Sequence, residues 1–437
     1  MSGDWLPYLP YNGVTCRYNE IGTKGRNRQF FVRHLVEGLG RRLSRWFGAP
    51  RFSMEHGRIF MLPEEKGSRI TPEQLDALRS EVPGLPGISS VSPGFLIPAT
   101  PEDIEKKVME IFPVLYQAFA AAVPEGERSY AMRVNRVDKE FPLRSADMER
   151  AFAERILSAH PDLHLDLKHA ALCIEVDIRK GRAFISCERI SGAGGLPTGS
   201  AGGVLAMLSG GFDSPVACFE MMRRGCNVDF ITFHSSPYTP PETVTKVASL
   251  VRRMNTFQKR GRFVAVNLLP FQKAVRDFCQ EKFRTVLYRR AMVRLSAVVA
   301  RYFGDLALVT GDNLGQVASQ TLVNMSVIQN ASSMMILRPL LTFDKLDIMA
   351  AARRIDTFEI SKVEVPDSCT VFAPKSPATA APLALVEAEE RKLDMEALLR
   401  QCLEETVIIN AETLSEHRFR ELVNQPLEVL TPGAAEA

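Results

Sequence analysis

The stretch SGGFDS at residues 209–214 decides how the chain can fold around it. It follows an apolar run at 204–208 and precedes a segment with helical periodicity. A strand, a glycine-rich turn and a helix start in this order aim backbone N–H groups and the positive helix end at an anion. Gly210 and Gly211 let the backbone approach such an anion closely. The stretch therefore predicts a phosphate-binding loop.

The other residues of this stretch carry complementary chemistry. Ser209 and Ser214 supply hydroxyl donors, and Asp213 is a hard oxygen ligand suited to the magnesium ion that accompanies pyrophosphate. The lysine of a Walker loop is absent, which excludes a kinase-type phosphate loop. For the bare pattern, an ordinary strand-to-helix turn stays open as the alternative.

Downstream of residue 204, apolar segments typical of strands alternate with helical segments. The predicted strands are 204–208, 228–233, 263–267 and 306–310, and the predicted helices are 215–224, 241–254 and 286–302. This alternation predicts an α/β domain with a parallel sheet wrapped by helices. A ligand of such a sheet binds at the carboxyl ends of the strands.

Upstream of residue 192 the pattern changes to two small α+β domains. The first is predicted from strands at 13–20, 51–62 and 87–97 and helices at 28–43 and 71–81; the second from helices at 101–119 and 145–158 and strands at 129–134, 171–178 and 183–189. The glycine-rich segment GAGGLPTGSAGG then reads as an ordered turn or a hinge. The predicted domains are 1–99, 100–191, a linker at 192–203, 204–385, and a helical, acidic tail at 386–437.

Composition limits the class of protein. The chain has 437 residues, of which 46% are hydrophobic and 24% charged, the balance of a soluble globular protein. Neither a secretory leader nor an apolar run of about 18 residues is present, so we expect a cytoplasmic protein without a membrane partner. The eight cysteines are scattered, with no pair at the close spacing that metal sites favour, so we expect mostly buried, reduced thiols, and no residue is assigned as a certain metal ligand.

The net charge of +3 conceals an uneven distribution. Residues 251–300 contain twelve lysines and arginines against two acids, and residues 1–50 contain eight against three. Solvated helix faces explain any single run of this kind. Two basic segments, one of them beside a phosphate loop, favour a polyanionic partner such as nucleic acid.

These residues also carry a family resemblance. SGGFDS resembles the pyrophosphate loop of the PP-loop ATP pyrophosphatases, which adenylate a substrate oxygen. GAGGLPTG at 192–199, TGDNLGQVASQT at 310–321, RPLLTFDKLDI at 338–348 and DSCTVF at 367–372 resemble the tRNA sulfurtransferase (4-thiouridine synthetase) family. RYNEIGTKGRNRQFF at 17–31 and RVNRVDKEFPLRS at 133–145 resemble that family's ferredoxin-like and THUMP domains.

The resemblance implies an ATP-dependent enzyme that adenylates a tRNA uridine and replaces its oxygen with sulfur, releasing AMP and pyrophosphate. ATP and Mg²⁺ are the implied cofactors. The implied catalytic residues are Asp213, Lys345, whose point charge would offset negative charge on the phosphate, and Cys369, the sulfur-transfer cysteine. The implied ATP-binding residues are Met207, Leu208, Ser209, Gly210, Gly211, Asp213, Ser214, Thr232, Phe233, Arg289, Gly311 and Gln320.

A purely structural role stays open for three of the implied residues. Lys345 is then a surface lysine, Arg289 a solvated charge on a helix, and Cys369 an inert, buried thiol. The tRNA partner is expected to contact basic residues that recognise RNA shape. The candidates are Arg17, Lys24, Arg26, Arg28, Arg133, Arg136, Lys139 and Arg144.

The sequence departs from some members of the family. Fewer than seventy residues follow Cys369, too few for a rhodanese-like carrier domain, so the expected sulfur donor is a cysteine desulfurase or another persulfide carrier protein. Arg284-Thr285-Val286-Leu287 stands where archaeal members carry a close cysteine pair, so we expect no iron–sulfur cluster. Cys402 falls in a helical segment and is interpreted as a packing residue. A homodimer is left open.

Rival functions remain at this point. A PP-loop ligase using ammonia or an amine would need neither the tRNA-binding front half nor Cys369. A regulatory tRNA-binding protein would not need the intact loop, and a THUMP-bearing methyltransferase would need a further glycine-rich motif. Sulfur delivery for thiamine biosynthesis stays open as a second activity.

Overall fold

The computed structural model describes residues 5–55 and 57–423, apart from the side chains of Cys369 and Val423. The role predicted for the Cys369 thiol thus falls outside the described part of the chain. The chain forms two compact units, Met1–Gly195 and Leu196–Ala437. We call them the N-terminal and the C-terminal unit and describe each by itself.

One mixed sheet runs through the described part of the N-terminal unit, in the order β2-β3-β1-β4-β8-β7-β5-β6, with β9 paired to β4. Its strands are β1 (Gly13–Arg17), β2 (Arg51–Glu55), β3 (Arg58–Leu62), β4 (Ser90–Pro98), β5 (Ser129–Arg136), β6 (His164–Leu165), β7 (Leu172–Arg179), β8 (Arg182–Ser186) and β9 (Ile190–Ser191). The antiparallel pairing of β4 with β8, in which Phe95 lies opposite Ile185, joins the two α+β regions into a continuous sheet.

The helices of this unit are α1 (Arg28–Phe47), α2 (Pro72–Glu81), α3 (Pro101–Ala122) and α4 (Ser145–Ala159). Their starts follow from capping chemistry. Thr71 and Gln74 form a reciprocal capping box on α2, and the Thr100 hydroxyl accepts a hydrogen bond from the backbone N–H of Asp103 on α3. Apolar residues at helical spacing on α1, including Leu35, Leu39 and Leu43, are buried.

The sheet of the C-terminal unit has the order β14-β13-β10-β11-β12-β15 in its described part. Its strands are β10 (Gly203–Met207), β11 (Asn227–His234), β12 (Phe263–Asn267), β13 (Ala307–Val309), β14 (Met335–Leu337) and β15 (Val407–Ile409). Neighbouring strands are parallel except β15, which runs antiparallel to β12. The carboxyl ends of β10, β11 and β13 therefore meet at one edge of the sheet.

Helices cover this sheet. They are α5 (Asp213–Arg223), α6 (Glu242–Met254), α7 (Leu269–Phe278), α8 (Arg284–Phe303), α9 (Leu322–Gln329), α10 (Lys345–Arg354), α11 (Phe358–Lys362), α12 (Leu383–Glu390), α13 (Met395–Glu404) and α14 (Glu416–Val423). α8 is the most enclosed of the long helices that pack on the core, because apolar positions such as Val286, Leu287 and Ala291 are almost inaccessible to solvent. Along the described part of the chain, no helix has the length and apolarity needed to cross a bilayer.

The predicted fold class, an α/β domain preceded by two small α+β domains, is confirmed. Two details differ from the sequence-based expectation. The predicted strand at 51–62 is a hairpin of β2 and β3, because Gly57 adopts a φ of +76° that turns the chain. The segment after residue 386 is not only helical, since β15 extends the parallel sheet at its edge.

The glycine-rich segment is ordered by backbone hydrogen bonds. Gly192 N and Gly194 N donate to Ser89 O and Ile88 O within the N-terminal unit. Further along, Leu196 N donates to Arg223 O within the C-terminal unit. The boundary between the two units falls inside this segment, between Gly195 and Leu196.

Candidate active site at the carboxyl edge of the parallel sheet

The SGGFDS loop connects the end of β10 to the start of α5 through a closed set of hydrogen bonds. Ser209 N donates to Ser214 Oγ at 3.0 Å, and Ser214 Oγ donates back to Ser209 O at 3.1 Å. Gly211 N lies 3.4 Å from Ser209 Oγ. The two serines thus fix the loop, which places its backbone beside the first turn of α5, where the helix dipole favours an anion.

A cleft opens beside this loop at the carboxyl ends of β10, β11 and β13; we call it the sheet-edge cleft. It brings together residues that lie up to 160 positions apart in the sequence. Its lining is Met207, Leu208, Ser209, Gly210, Asp213, Ser214, Thr232, Phe233, Thr243, Val247, Arg289, Met292, Thr310, Gly311, Asp312, Gln320 and Asp367.

All but one of the twelve ATP-binding residues expected from the sequence line this cleft. The exception is Gly211, which lines an adjoining pocket together with Gly210, Lys246 and Asp367. In this pocket Lys246 Nζ donates to Ser361 O at 3.0 Å and to Val363 O at 2.6 Å. Burial lowers the pKa of Lys246, and the charge of Asp367 partly opposes that shift.

Gly311 is required by a close approach of two backbones. A Cβ atom on Gly311 would lie 2.7 Å from Ser214 N and 2.9 Å from Ser214 Cα, inside van der Waals contact. Because these atoms belong to the helix backbone, they cannot rotate away. Gly311 therefore allows the segment after β13 to pack against the start of α5 and form one wall of the cleft.

Asp213 is held at the mouth of the cleft by two side chains. Lys345 Nζ, at the start of α10, lies 2.7 Å from Asp213 Oδ1, and Gln316 Nε2 donates to Asp213 Oδ2 at 3.0 Å. The Lys345 ammonium also lies 5.8 Å from the ring centre of Phe212. The structure thus brings two of the three expected catalytic residues, Asp213 and Lys345, into direct contact.

Asp312 forms a buried charge centre that the sequence analysis did not single out. Its carboxylate pairs with Arg289 and lies 3.4 Å from Arg338 Nε, and Thr310 Oγ1 donates to it at 2.8 Å. Burial on its own would raise the pKa of Asp312, but these charges and hydrogen bonds hold it below its usual value. Its position directly after strand β13, within the motif at 310–321, is the signal that could have identified it.

The turn that contains Cys369 is fastened to the same edge of the sheet. Ser368 is buried, and its Oγ lies 2.8 Å from Ser235 Oγ, just beyond the end of β11. Gln272 on α7 donates to Ser368 O at 2.8 Å. Asp367 lines the cleft itself, and Cys369 is only two residues further along the chain. The Cys369 side chain is not among the described ones.

Residues 251–300 form a basic surface only in part. Arg253 pairs with Asp356, Arg262 with Asp229, and Arg289 with Asp312. Arg290, which is buried, and its helix neighbour Arg294 both bind Glu390 of α12. Burial opposes the ionisation of Glu390, but the two arginines outweigh it and lower its pKa to about 2. Much of the basic run therefore neutralises acids within the unit.

The basic residues of the N-terminal unit are in different environments. Arg17 is buried and donates to Ser92 Oγ and Glu175 Oε2, at 2.7 and 2.8 Å, and burial lowers its pKa to about 10. Its guanidinium is thus engaged inside the unit. The remaining candidates are exposed or half-buried: Lys24, Arg26, Arg28, Arg133, Arg136, Lys139 and Arg144. Arg133 also lines a cleft with Lys168, His169 and Arg189.

Most thiols in the described part of the chain are poor nucleophiles. Burial raises the pKa of Cys218 well above its usual range, and it raises that of Cys402 to about 12 and that of Cys279 to about 11. Cys402 is fully buried in the apolar core, in agreement with its interpretation as a packing residue. No group of three or more acids, histidines and cysteines among the described residues is arranged to hold a metal ion.

Comparison with known proteins assigns this architecture. A model described as the ThiI ferredoxin-like domain matches residues 14–92, a THUMP domain model matches 99–188, and a model described as thiamine biosynthesis protein (ThiI) matches 199–395. Probable tRNA sulfurtransferases of Brevibacillus brevis and Moorella thermoacetica are 37% and 35% identical to the chain. Each match covers 92% of this chain, and it covers 96% of the Brevibacillus protein and 98% of the Moorella protein.

Solved structures agree with this assignment. The crystal structure of a 4-thiouridine synthetase–RNA complex with bound ATP matches with a TM-score of 0.77 and 30% identity, over 92% of this chain and 100% of that chain. The structure of PH1313 from Pyrococcus horikoshii, at 24% identity and a TM-score of 0.59, supports the fold alone. The resemblance inferred from the motifs is confirmed, and the chain is an enzyme of the tRNA sulfurtransferase family.

Proposed function

We propose that this chain uses ATP to adenylate a uridine of tRNA and then transfers persulfide-derived sulfur to the activated carbon, giving 4-thiouridine, AMP and pyrophosphate. One observation carries the proposal: the cleft beside the SGGFDS loop is also lined by Asp367, two residues before Cys369. The SGGFDS loop and the turn that bears Cys369 thus lie at one edge of one sheet, which supports a reaction that needs both.

We expect ATP to bind in the sheet-edge cleft, with its phosphates at the loop and its adenosine at the ends of β10 and β11. The loop from Ser209 to Ser214 would hold the phosphates beside the first turn of α5, where the helix dipole favours an anion. The N–H groups of Ser209 and Gly211 bond to serine hydroxyls within the loop and fix its shape. Met207, Thr232 and Phe233, at the ends of β10 and β11, would frame the adenosine. Arg289 is oriented by buried Asp312, so its fork of donors is fixed before the nucleotide binds.

In the first step, the uridine carbonyl oxygen attacks the α-phosphorus, and the bond to the bridging oxygen of pyrophosphate breaks. Negative charge spreads over the transferring phosphoryl group, and Lys345 supplies a cation next to the loop. Asp213 would provide a carboxylate to Mg²⁺, which is usually held by one or two carboxylates together with substrate phosphates; bound there, the ion would offset phosphate charge. Asp213 belongs to the loop and lines the cleft, and its half-buried carboxylate fits this requirement.

In the second step, sulfur replaces AMP at the activated carbon. The Cys369 thiolate attacks the carrier sulfur of a protein persulfide, the sulfur–sulfur bond breaks, and hydrosulfide leaves. Hydrosulfide adds to the adenylated carbon and AMP departs with the former carbonyl oxygen. Cys369 is left in a disulfide with the carrier cysteine, and a thiol reductant restores both thiols before the next turnover. A cysteine desulfurase or another persulfide carrier protein is the proposed donor.

The tRNA is proposed to contact the exposed basic residues of the N-terminal unit. Arg26, Lys139 and Arg144 are solvent-facing there and suit phosphate contacts, whereas the buried Arg17 suits an internal role. We place the activity in the cytoplasm, where tRNA substrates and reduced thiols occur together. Sulfur transfer for thiamine biosynthesis is a second candidate function, because the model that matches residues 199–395 carries that description.

The test is direct. The purified chain is incubated with ATP, Mg²⁺, unmodified tRNA and sulfide, and the nucleosides are analysed by mass spectrometry. We expect 4-thiouridine that depends on ATP, together with equimolar AMP and pyrophosphate. Absence of 4-thiouridine, with wild-type tRNA binding intact, would refute the proposal.

A further inference from the structure

An aromatic pair, an exposed tyrosine and a half-buried phenylalanine, lies beside the cysteine turn, outside the sheet-edge cleft. Tyr238, in the segment after β11, is 52% exposed, and its ring centre lies 5.2 Å from that of Phe372 at an interplanar angle of 62°. Phe372 has a φ of +56°, a left-handed conformation that costs a non-glycine residue about 1 kcal/mol or more. The backbone thus bears strain at the position that directs this ring towards Tyr238.

Cations surround the pair. The Arg276 guanidinium lies 4.6 Å from the ring centre of Phe372, and Lys273 Nζ lies 5.9 Å from that of Tyr238. Arg284 donates to Phe372 O at 3.4 Å and to Arg276 O at 3.2 Å. We call Tyr238, Lys273, Arg276 and Phe372 the aromatic–cationic platform.

Nearby acids neutralise only part of this charge. Asp277 pairs with Arg276 at 2.7 Å, and Glu281 accepts a hydrogen bond from the backbone N–H of Lys375. Lys273 is exposed, and no ion pair of its side chain is found among the described residues. Lys282 and Lys375 are exposed on neighbouring segments of the same unit. The surface therefore stays positive around two aromatic rings.

The platform is fixed to the reaction site by hydrogen bonds. Tyr238 N donates to Ser235 O at 2.7 Å, and Ser235 Oγ lies 2.8 Å from Ser368 Oγ. Val371 N, next to Phe372, donates to Ser368 O at 3.2 Å. The backbone segments that carry the two rings are thus hydrogen-bonded to Ser235 and Ser368, the serine pair that holds the cysteine turn at the sheet edge.

Exposed aromatic faces combined with cations are the features that proteins use to stack unpaired bases and to bind the attached phosphates. We propose that the aromatic–cationic platform binds the RNA nucleotide next to the target uridine: a base stacks on Tyr238, whose ring packs edge-to-face against Phe372, and Lys273 and Arg276 contact its phosphate. This inference rests on the proposed function. The platform would hold the strand so that the target base reaches the cleft and the cysteine turn together.

The test compares Tyr238→Ala and Lys273→Glu with the wild-type full chain, using ATP, sulfide and unmodified tRNA. Stacking on one aromatic residue is worth enough for about a tenfold loss of kcat/KM for tRNA. We expect such a loss in both variants, while ATP affinity measured without tRNA stays within twofold. The matched controls are Tyr302→Ala, at a tyrosine that is 39% exposed on α8, and Lys259→Glu, at an exposed lysine before β12.

The outcomes separate the two proposals. If the wild type makes no 4-thiouridine, the proposed function fails, and the platform fails with it. If the wild type is active and Tyr238→Ala and Lys273→Glu keep wild-type kcat/KM for tRNA, only the platform is refuted. If sulfide-supported thiolation is normal and only turnover with a persulfide carrier protein falls, the surface binds that protein and not RNA, which also overturns the inference.

Discussion

Lys345 Nζ and Asp213 Oδ1 lie 2.7 Å apart at the mouth of the sheet-edge cleft, although 132 positions separate the two residues. The first turn of α10 thereby sets a cation against the first residue of α5. In the proposed reaction this cation would face the transferring phosphoryl group, where its contribution is greatest in the transition state.

Lys345→Met is therefore expected to lower kcat for tRNA-dependent pyrophosphate release by about 100-fold and to change the KM for ATP little. Pyrophosphate release is measured by a coupled assay. The control is Lys362→Met, because Lys362 is an exposed lysine of the same unit that lies 4.0 Å from Glu359. If Lys345→Met kept the wild-type kcat, Lys345 would be a surface residue without a catalytic role.

Replacing Asp213 by Ala is expected to abolish pyrophosphate release and to leave tRNA binding within twofold, because the carboxylate belongs to the loop of the C-terminal unit and pairs with Lys345 and Gln316. The two quantities are measured separately, by coupled assay and by fluorescence anisotropy. Retained pyrophosphate release would defeat the assignment of the loop.

Cys369→Ser should spare pyrophosphate release but stop multiple-turnover thiolation with a persulfide carrier protein, since a serine cannot form the disulfide that ends each cycle. Cys279→Ser serves as the control: burial raises the pKa of Cys279 to about 11, so its thiol is protonated at neutral pH. Product 4-thiouridine is counted per enzyme. More than one turnover by Cys369→Ser would make the cysteine structural.

Binding of tRNA should weaken linearly with salt on a log–log plot, as counterion release requires. Arg144→Gln should lower the slope, because Arg144 is solvent-facing. Arg17→Gln should instead lower the thermal stability, since it leaves Glu175 and Ser92 without their buried partner. The salt slope is measured by anisotropy titrations at several salt concentrations, and the thermal stability is measured by melting curves. A salt slope of zero for the wild type would contradict phosphate recognition.

Gly311→Ala tests the backbone contact that forms the cleft wall. The added Cβ would collide with Ser214 N and Cα, so we expect ATP affinity to fall at least tenfold and the melting temperature to drop by several degrees. Gly38→Ala is the control, because a Cβ there meets no atom within 4 Å and alanine favours the helix. Unchanged ATP binding by Gly311→Ala would show that this wall can move.

Asp305 makes the stability of the C-terminal unit depend on pH. Burial, followed by the charge of Asp229, raises the pKa of Asp305 to about 7, and its Oδ2 has no hydrogen-bond partner among the described residues. The unfolded chain ionises this carboxyl near pH 4, so the folded state loses stability as the pH rises from about 4 to about 7, and the loss is complete above that.

Asp305→Asn should therefore stabilise the protein increasingly across that range, by on the order of 2 kcal/mol at pH 8 and by little at pH 4. Thermal unfolding midpoints at four pH values measure the effect. Asp356→Asn is the control, because the Asp356 side chain is 74% exposed and asparagine tolerates its φ of +52°. A constant difference between Asp305→Asn and wild type across pH would contradict the raised pKa.

The predictable part of the fold is the part written in local patterns. The apolar strands and the SGGFDS loop carry strong periodicity and turn chemistry, and they lead to the parallel sheet and to the edge where the cleft lies. β15 was not predictable, because three residues with alternating burial become a strand only when β12 offers its free edge.

The site divides in the same way. Gly311 and Arg289 could be placed by motif, but the pairing of Arg289 with Asp312 is a contact between α8 and the segment after β13 that no spacing encodes. The positions of charged residues along the sequence also failed to predict which of them lie on the surface. The basic run at 251–300 looks continuous in one dimension, whereas the helical period of α8 turns Arg290 towards buried Glu390.

The buried cluster of Arg290, Arg294 and Glu390 has a consequence for loss-of-function mutations, because a mutation there can abolish activity without touching the cleft. Arg289 faces the cleft, and its chain neighbour Arg290 is bound to Glu390 on α12, so a lesion at Glu390 would strand two guanidinium groups in the interior and shift the helix that carries Arg289. A genetic screen for lost thiolation would recover such alleles beside true cleft alleles. Growth temperature would distinguish the two groups, because only the Glu390 alleles should regain activity in the cold.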